Sequence, residues 1–238
     1  MDADQTFLVT AASSGLGAEM ATGLAKPGRH LIIHYHRNRD GAERVAETIT
    51  ARGGAASVVS ADLTDPSATN EMTERVGSEH ERLDVLVNNF GPYIRNRWDE
   101  YTNEEWQLQI EGTISATFRV TRNLIDLLRA APRATIINLS DCAADRVTAH
   151  EPDLPYYVGK TGIVMLTQTI ARAEAAHGIT ANSLMPGVME NSELKPDVER
   201  IPVGRFGTAD DLVGAIEFLI GARYVTGSSI QVGGGWKL

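Results

Sequence analysis

Short apolar runs separated by longer amphipathic segments follow one another along the chain. The first run, Thr6-Phe7-Leu8-Val9-Thr10, is rich in β-forming residues, and the segment after it has apolar positions at Met20, Leu24 and Ala25. Such runs predict buried strands, and the segments between them predict helices. Further strands are predicted at 31–35, 56–59, 85–87, 135–139, 181–184 and 227–232. The alternation predicts right-handed β-α-β crossovers and an α/β fold with a doubly wound parallel sheet flanked by helices.

Polar and small residues stand where these predicted strands end. In a parallel α/β sheet, ligands bind beyond the carboxyl ends of the strands. Six residues fall at or just past such ends: Thr10, Tyr35, Asp62, Asn89, Ser140 and Pro186. The pattern therefore predicts one contiguous ligand site at this edge of the sheet.

The first strand leads through the turn Ala11-Ala12-Ser13-Ser14-Gly15-Leu16-Gly17 into a helix. Gly15 and Gly17 permit close approach of the backbone, and Ser13 and Ser14 add hydroxyl donors. A turn of this kind places backbone N–H groups and a helix N-terminus against a phosphate. Between a strand and a helix, it predicts a nucleotide-binding site.

A tyrosine and a lysine stand four residues apart in the run Tyr156-Tyr157-Val158-Gly159-Lys160, which an apolar-periodic stretch follows. Residues four apart on a helix lie on one face, so the phenol and the ammonium project into the same space. A fixed positive charge favours the phenolate and lowers the pKa of a tyrosine towards the working range. We therefore expect Lys160 to lower the pKa of Tyr156, and Tyr156 to exchange a proton with an alcohol or a carbonyl.

Five motifs in a fixed order make the chain resemble the short-chain dehydrogenase/reductase family over almost its whole length. One is the pair Tyr156 and Lys160, and another is the turn from Thr10 to Gly17, with Ala11 in place of the usual first glycine. The other three are Asp84-Val85-Leu86-Val87-Asn88-Asn89, Pro186-Gly187, and the stretch from Thr226-Gly227 to Gly233-Gly234. The resemblance implies a single Rossmann-type domain over residues 1–238, with a short substrate lid at about 189–203.

The resemblance also implies a mechanism, hydride transfer from a nicotinamide to an electrophilic carbon with Tyr156 as proton donor. Lys160 would bind the nicotinamide ribose as well. After the fifth strand the chain has Ser140-Asp141, with Asp141 where the family's catalytic serine is usual. Either residue could face the substrate: a serine donates a hydrogen bond to a carbonyl oxygen, whereas an aspartate does so only while protonated. Thr113 stands where the family has an asparagine that supports a proton relay.

The residues after the second predicted strand indicate which nicotinamide is used. A site for NAD often carries an acidic residue there, but this chain has His36, Arg37 and Asn38, and no carboxylate before Asp40. The guanidinium of Arg37 suits a 2′-phosphate, which predicts NADPH. By resemblance, the cofactor is expected to contact Tyr156 and Lys160 together with Thr10, Ala12, Ser13, Ser14, Gly15, Leu16, Gly17, Tyr35, His36, Arg37, Asn38, Asp62, Leu63, Asn89, Phe90, Gly91, Pro186, Gly187, Val188 and Met189.

Two classes of substrate fit the resemblance. The layout, including Gly204-Arg205-Phe206-Gly207 before the last helix, is similar to 3-oxoacyl-thioester reductases, in which case Arg95, Arg97 or Arg205 would meet an acidic carrier. The run His34-Tyr35-His36-Arg37, together with Asp141 and Tyr93, instead resembles pteridine reductases. In those enzymes an aspartate and a tyrosine act on an imine, and an aromatic ring sandwiches the pterin.

A third reading is a cofactor-binding regulator without turnover, suggested by Ala11, Thr113 and Asp141. The joint retention of Tyr156 and Lys160 argues against it. We therefore rank a carbonyl reductase first, a pteridine reductase second and the regulator third.

Composition narrows the partners. A net charge of −9 disfavours nucleic acid or an anionic membrane as the main partner, and the acidic segment Met1-Asp2-Ala3-Asp4-Gln5 is unlike a secretory signal. The one cysteine, Cys142, fits a reducing cytoplasm and is expected to be packed rather than reactive. His34 and His36 lack a third ligand at metal spacing, so no metal site is predicted. The resemblance implies a homodimer or homotetramer that acts on a small carbonyl or pterin substrate.

Overall fold

Seven parallel strands form one sheet in the computed structural model, which describes residues 5–237. The strands are β1 (Gln5–Val9), β2 (Arg29–Tyr35), β3 (Ala55–Ser60), β4 (Val85–Asn88), β5 (Ala134–Leu139), β6 (Ile179–Pro186) and β7 (Ser229–Val232). Their spatial order is β3-β2-β1-β4-β5-β6-β7. The predicted fold class is therefore confirmed, with β6 longer and β7 shorter than expected. The acidic residues 1–4 and the last residue of the expected domain lie outside the described part of the chain.

Helices cover both faces of this sheet. They are α1 (Gly15–Gly23), α2 (Arg39–Ala51), α3 (Pro66–Glu79), α4 (Asn103–Ile110), α5 (Ala116–Asn123), α6 (Ile125–Ala130), α7 (Leu154–Glu174) and α8 (Ala209–Gly221). A π-helix, Glu111–Ser115, joins α4 to α5. Short 3₁₀ turns follow α7 and precede α8.

Two apolar layers hold the helices to the sheet. Side chains alternate between the faces of a strand, so Phe7 and Val9 of β1 face a layer that includes Met20 of α1. Leu8, between them, faces the opposite layer, which includes Met72 of α3 and Val120 of α5. All three β1 side chains are fully buried, as expected for a central strand of a parallel sheet.

The order of the strands reverses between β1 and β4. β1 pairs with β2 on one side and with β4 on the other, so the connections after β1 and after β4 diverge to opposite edges of the sheet. This divergence opens a crevice at the carboxyl ends, where ligands bind in doubly wound folds.

Candidate active site

Tyr156 and Lys160 lie in the first turns of α7, which begins at Leu154 with Pro155 in its first turn. Proline suits this position because the first N–H groups of a helix have no partner within the helix. The Lys160 side chain is buried, its Nζ donates a hydrogen bond of 2.8 Å to the Leu139 carbonyl, and it lies 5.6 Å from the centre of the Tyr156 ring. Burial lowers the pKa of Lys160 to about 8.

Ser140 and Asp141, at the end of β5, take different roles. The Ser140 hydroxyl donates to the Lys160 carbonyl at 2.8 Å, so it holds α7 against the sheet. The Asp141 carboxylate accepts a hydrogen bond from the Tyr156 hydroxyl at 3.2 Å and another from the Ala143 N–H at 2.8 Å. Neighbouring residues of an extended chain point in opposite directions. Of the two candidates from the sequence, it is therefore Asp141 that meets the phenol.

The pKa of Tyr156 moves in the direction opposite to the one expected from Lys160. Burial raises the pKa of this phenol well above its usual value, and the adjacent Asp141 carboxylate raises it further. The expectation of a lowered pKa is therefore wrong for the protein by itself, because burial and the Asp141 carboxylate both favour the protonated phenol. Tyr156 keeps its proton at neutral pH and is available as a proton donor.

An aromatic wall, made of Tyr93, His150, Tyr156 and Tyr157, borders this site. The ring of Tyr93 meets that of Tyr156 edge-on with 4.9 Å between centres, and the Tyr93 hydroxyl donates to Asp153 at 2.9 Å. His150 stacks on Tyr157 at 3.6 Å. Tyr93 was among the candidates from the sequence, but His150 and Tyr157 were missed. Of these two residues, only Tyr157 could have been recognised from the sequence, because it stands next to Tyr156.

The three arginines considered for an acidic carrier are paired with carboxylates. Arg95 lies 3.4 Å from Asp153, and Arg97 lies 3.2 Å from Asp99. Arg205 forms a two-pronged contact of 2.7 and 2.8 Å with the carboxylate that closes the first turn of α8, Asp211. Trp98, which follows Arg97 in the sequence, is largely exposed. Each of the three guanidiniums is therefore already paired with a carboxylate, and none is an unpaired charge available to an acidic carrier.

Thr113 lies in the π-helix and borders the space beside Lys160. A Cβ built on Gly91 would lie 3.4 Å from the Lys160 Nζ and 3.5 Å from the Thr113 Oγ1. The Thr113 hydroxyl is buried and has no hydrogen-bond partner among residues 5–237. Thr113, Gly91 and Lys160 therefore enclose one small polar space, in agreement with the position inferred for Thr113.

The turn after β1 is shaped by close backbone contacts. Ala11 has a φ of 50° and Gly15 a φ of 53°, both in the left-handed region. A Cβ on Gly17 would lie only 2.3 Å from the Ala11 carbonyl oxygen and 2.5 Å from the Asn89 Nδ2, so only glycine fits there. The Thr10 hydroxyl accepts a hydrogen bond of 2.8 Å from the Asn89 N–H, which ties this turn to the end of β4.

His34 supports the same turn and was missed as a site residue. Its Nδ1 accepts a hydrogen bond of 2.9 Å from the Ala11 N–H, and its Nε2 lies 3.2 Å from the Ala61 carbonyl oxygen. These two contacts need a neutral imidazole that is protonated on Nε2. Burial lowers the pKa of His34 to about 4, which keeps the ring neutral. The histidine thus connects the ends of β1, β2 and β3.

The end of β2 presents the predicted cofactor-selecting residues. His36 and Arg37 are exposed, and His36 lies 3.6 Å from Asp62. Asn38 caps α2 by accepting from the Gly41 N–H at 3.1 Å, and its amide donates to the Ser13 carbonyl at 3.3 Å.

Two candidates in the next turn have other partners. Asp62 accepts hydrogen bonds from the backbone and the hydroxyl of Thr64. The Leu63 side chain is buried in the core, and its carbonyl accepts a hydrogen bond from Arg119. The Leu63 side chain is therefore not exposed to an adenine.

A cavity of about 210 Å³ brings nine of the predicted site residues together, whereas Thr113, Gly91 and the residues after β2 are not in its lining. Its lining comprises Leu16, Asn89, Leu139, Ser140, Asp141, Tyr156, Lys160, Pro186, Gly187, Met189, Asn191 and Ser192. The expected lid begins at the rim of this cavity. There Met189 forms a β-bridge with Gly207, and the Met189 N–H donates a hydrogen bond of 3.0 Å to the Ser192 hydroxyl.

Cys142 lies beside this cavity and is buried. Burial and the Asp141 carboxylate raise the pKa of its thiol to about 12, in agreement with a packed, unreactive role. Within residues 5–237, no group of three histidine, cysteine or carboxylate side chains is arranged to hold a metal ion. Over the same residues, no helix is long and apolar enough to cross a membrane.

The family model described as enoyl-(acyl carrier protein) reductase matches residues 10–237. The chain belongs to the short-chain dehydrogenase/reductase family. It is 30% identical to a 3-oxoacyl-[acyl-carrier-protein] reductase of Synechocystis sp., covering 97% of this chain and 96% of that one. It is 32% identical to the 3-oxoacyl-[acyl-carrier-protein] reductase FabG of Staphylococcus epidermidis, covering 98% of both.

A short-chain dehydrogenase of Burkholderia cenocepacia, solved in complex with NADP, superposes with a TM-score of 0.89 at 27% identity, covering 98% of each chain. The family resemblance and the oxidoreductase class expected from the sequence are confirmed.

The short-chain dehydrogenase/reductase site fits a nicotinamide dinucleotide. Ser14, the N-cap residue of α1, makes no side-chain cap, so the first N–H groups of that helix stay available to a phosphate. A side chain at position 17 would collide with the Ala11 carbonyl oxygen, so no side chain at this position covers these N–H groups. The Lys160 ammonium and the Thr113 hydroxyl, which has no hydrogen-bond partner among residues 5–237, are further donors beside Gly91.

Proposed function

We propose that this protein is an NADPH-dependent reductase of a small carbonyl substrate of the 3-oxoacyl type. The observation that carries the proposal is the protonated Tyr156 hydroxyl on the wall of the 210 Å³ cavity, with the buried Lys160 behind it. A proton donor, a fixed cation and a nucleotide-binding turn meet at this cavity, which is the combination that hydride transfer to a carbonyl requires. The short-chain dehydrogenase/reductase relatives named above as 3-oxoacyl reductases support the substrate class.

Each residue has a defined task in the proposed reaction. NADPH, when bound, supplies the hydride. Tyr156 donates its proton to the carbonyl oxygen as negative charge develops there, and Lys160 stabilises the phenolate that remains. Ser140 holds α7 in place through the Lys160 carbonyl. Burial, together with the Asp141 carboxylate, raises the pKa of Tyr156 and keeps the phenol protonated before the substrate arrives.

The choice of NADPH over NADH rests on Arg37. This guanidinium is exposed at the end of β2, where it can form paired hydrogen bonds to a 2′-phosphate. Replacing it in the variant Arg37→Gln should raise the KM for NADPH about tenfold while leaving the KM for NADH nearly unchanged, because only NADPH carries that phosphate. Equal changes for both cofactors would contradict this assignment. The charge-matched Arg44→Gln, on the exposed side of α2, serves as control.

The decisive experiment follows NADPH oxidation with an acetoacetyl thioester and with a dihydropterin in parallel. Turnover of the thioester, reduced about 10²- to 10⁴-fold in Tyr156→Phe, supports the proposal. Tyr156→Phe keeps the ring and loses only the hydroxyl, so NADPH binding, followed by its fluorescence, should persist. Unchanged turnover in this variant would contradict the assigned role of Tyr156.

A pteridine reductase is the second candidate, favoured by one observation. The Asp141 carboxylate stands 3.2 Å from the Tyr156 hydroxyl, and the Tyr93 ring adjoins Tyr156. A carboxylate repels the developing oxyanion of a ketone but accepts a hydrogen bond from the N–H of a heterocycle. Turnover of the dihydropterin alone would replace the first proposal by this one. NADPH binding without turnover of either substrate would favour a different substrate or the regulator.

We also propose that the protein assembles as a homodimer or homotetramer through α5 and α7. Phe118 and Met165 are exposed apolar side chains on these helices. The native mass measured by light scattering tests this proposal, and a monomeric mass would contradict it.

A further inference from the structure

We propose a second ligand site, for a small phosphate-bearing anion, at the end of the sheet opposite the active site. A cavity of about 610 Å³ opens there, roughly three times the volume of the catalytic cavity. It lies where β1, β2, β4 and β5 begin. Its lining comprises Gln5, Lys26, Pro27, Gly28, Arg29, Arg82, Asp84, Pro132, Arg133 and Arg223.

The charge of this lining is unusual for an acidic chain. Five cationic side chains line the cavity, while the nearby anions among residues 5–237 are Asp84, in the lining, and Glu217, which pairs with Arg29 and Lys26. Counted over these residues, the cavity has a local excess of three positive charges in a protein whose net charge is −9. A concave surface lined by one sign of charge concentrates the field on an oppositely charged ligand.

Three of the cations have carboxylate partners, which fix the walls. Arg29 contacts Glu217 through both of its terminal nitrogens, one at 2.9 Å, and Lys26 contacts the same carboxylate at 2.9 Å. Arg82 lies 3.3 Å from Asp84, which also accepts a hydrogen bond of 2.8 Å from the Thr6 N–H.

The remaining two cations lack such partners. Among residues 5–237, no carboxylate lies within 4 Å of the guanidinium of Arg133 or of Arg223, and neither guanidinium forms a hydrogen bond. The two are close enough to repel each other, and partial burial together with Arg133 lowers the pKa of Arg223. Two adjacent guanidiniums without counterions are the arrangement that a phosphate stabilises, since each can form paired, charge-assisted hydrogen bonds to its oxygens.

This site is separate from the hydride-transfer site. Arg133 precedes β5 and Arg223 follows α8, whereas the nucleotide-binding turn follows β1 at the opposite ends of the strands. Phosphate binding at Arg133 and Arg223 should therefore persist when NADPH saturates its own site. The site also does not depend on which substrate the enzyme reduces.

Calorimetric titration with inorganic pyrophosphate, at constant ionic strength and with saturating NADPH, tests the proposal. We expect saturable binding to the full chain, weakened at least about tenfold in the double variant Arg133→Gln/Arg223→Gln, because charge-assisted hydrogen bonds are lost. The control Arg44→Gln/Arg172→Gln removes the same charge from exposed positions on α2 and α7 and should bind within about twofold of the original chain.

Equal melting temperatures of the two double variants would show that both are folded. Absence of saturable binding, or equal weakening in both arginine double variants, would overturn the proposal.

Discussion

Asp141 determines the chemistry that Tyr156 can perform. The carboxylate accepts the phenol's hydrogen bond, and burial together with this carboxylate raises the pKa of Tyr156, so the pair favours proton donation over proton abstraction. Ser140, the neighbouring residue, is committed to the Lys160 carbonyl. We therefore expect the preference among substrates to depend on the Asp141 side chain, which can be substituted without removing the hydrogen bond from Ser140 to α7.

The substitution Asp141→Ser should change the ratio of thioester to dihydropterin turnover by about tenfold in favour of the thioester. A hydroxyl donates to a ketone oxygen, whereas the carboxylate repels the charge that develops there, and one hydrogen bond is worth about a factor of ten. Steady-state kinetics with both substrates measures the ratio. Ser140→Ala is the matched control: it loosens α7 and should depress both activities alike. An unchanged ratio in Asp141→Ser would show that Asp141 does not select the substrate.

The buried ammonium of Lys160 sets an alkaline limit to activity. Its pKa is lowered to about 8, so the charge that faces the nicotinamide ribose in this proposal is lost as the pH rises through about 8. Because the pKa of Tyr156 lies far higher, the phenol does not titrate in this range. We expect kcat/KM for NADPH to fall above about pH 8, and Lys160→Met to abolish that fall. A profile that stays flat to pH 10 would contradict the assignment.

At this scale, the sequence identified residues but not their orientations. Tyr156 and Lys160 could be predicted because helical spacing alone places them on one face. The choice between Ser140 and Asp141 could not, since it depends on which of two adjacent side chains reaches the Tyr156 hydroxyl and which reaches the Lys160 carbonyl. His34 was missed because its partners, Ala11 and Ala61, come together only when three strands are paired.

Among the elements, the connection from β1 to α1 is the most constrained. Gly17 allows the helix to pass against the Ala11 carbonyl and the Asn89 amide, and both contacts depend on the absence of a Cβ. The turn is therefore packed closely against the end of β4. Strands, the order of motifs and this turn were all predictable, because each depends on local pattern.

Gly17→Ala should destabilise the protein by at least ~2 kcal/mol and abolish measurable NADPH binding, because the new methyl group overlaps backbone that cannot retreat. The control is Gly214→Ala in α8, where a Cβ would meet nothing within 4 Å. That substitution should stabilise the helix by about 0.5–1 kcal/mol. Urea denaturation and NADPH fluorescence measure both effects. Equal stability of the two variants would argue against the close approach at Gly17.

At the scale of the whole molecule, stability depends on pH because a buried, neutral histidine, His34, connects the carboxyl ends of β1, β2 and β3. The folded state lowers the pKa of His34 from 6.5 to about 4, mainly by burial, with His36 and Asp62 as the nearby charges. As the pH falls from 6.5 towards 4, His34 binds a proton in the unfolded chain but stays neutral in the folded chain. Stability contributed by the neutral ring is therefore present above pH 6.5 and lost below it.

The free energy of unfolding should fall by about 3 kcal/mol over this window on account of His34. In His34→Asn, which has no titrating ring, the protein should be less stable at pH 7.5 but should lose less stability between pH 6.5 and 4. His36→Asn, at an exposed position of the same strand end, should keep the slope of the original chain. Urea denaturation at several pH values compares the three, and identical slopes would contradict the role of His34.

The π-helix Glu111–Ser115 determines how the side chains of α5 are rotated about the helix axis relative to those of α4. An α-helix turns by about 100° per residue, so one residue more or less between α4 and α5 rotates everything downstream by that angle. Thr113 can face Lys160 only while the wider turn absorbs this offset. Deleting one residue from the segment would restore a regular helix, yet would swing the Thr113 hydroxyl and the apolar stripe of α5 away from their partners. The π-helix thus changes the direction in which the following side chains point, so that α4 and α5 can pack against two differently oriented surfaces.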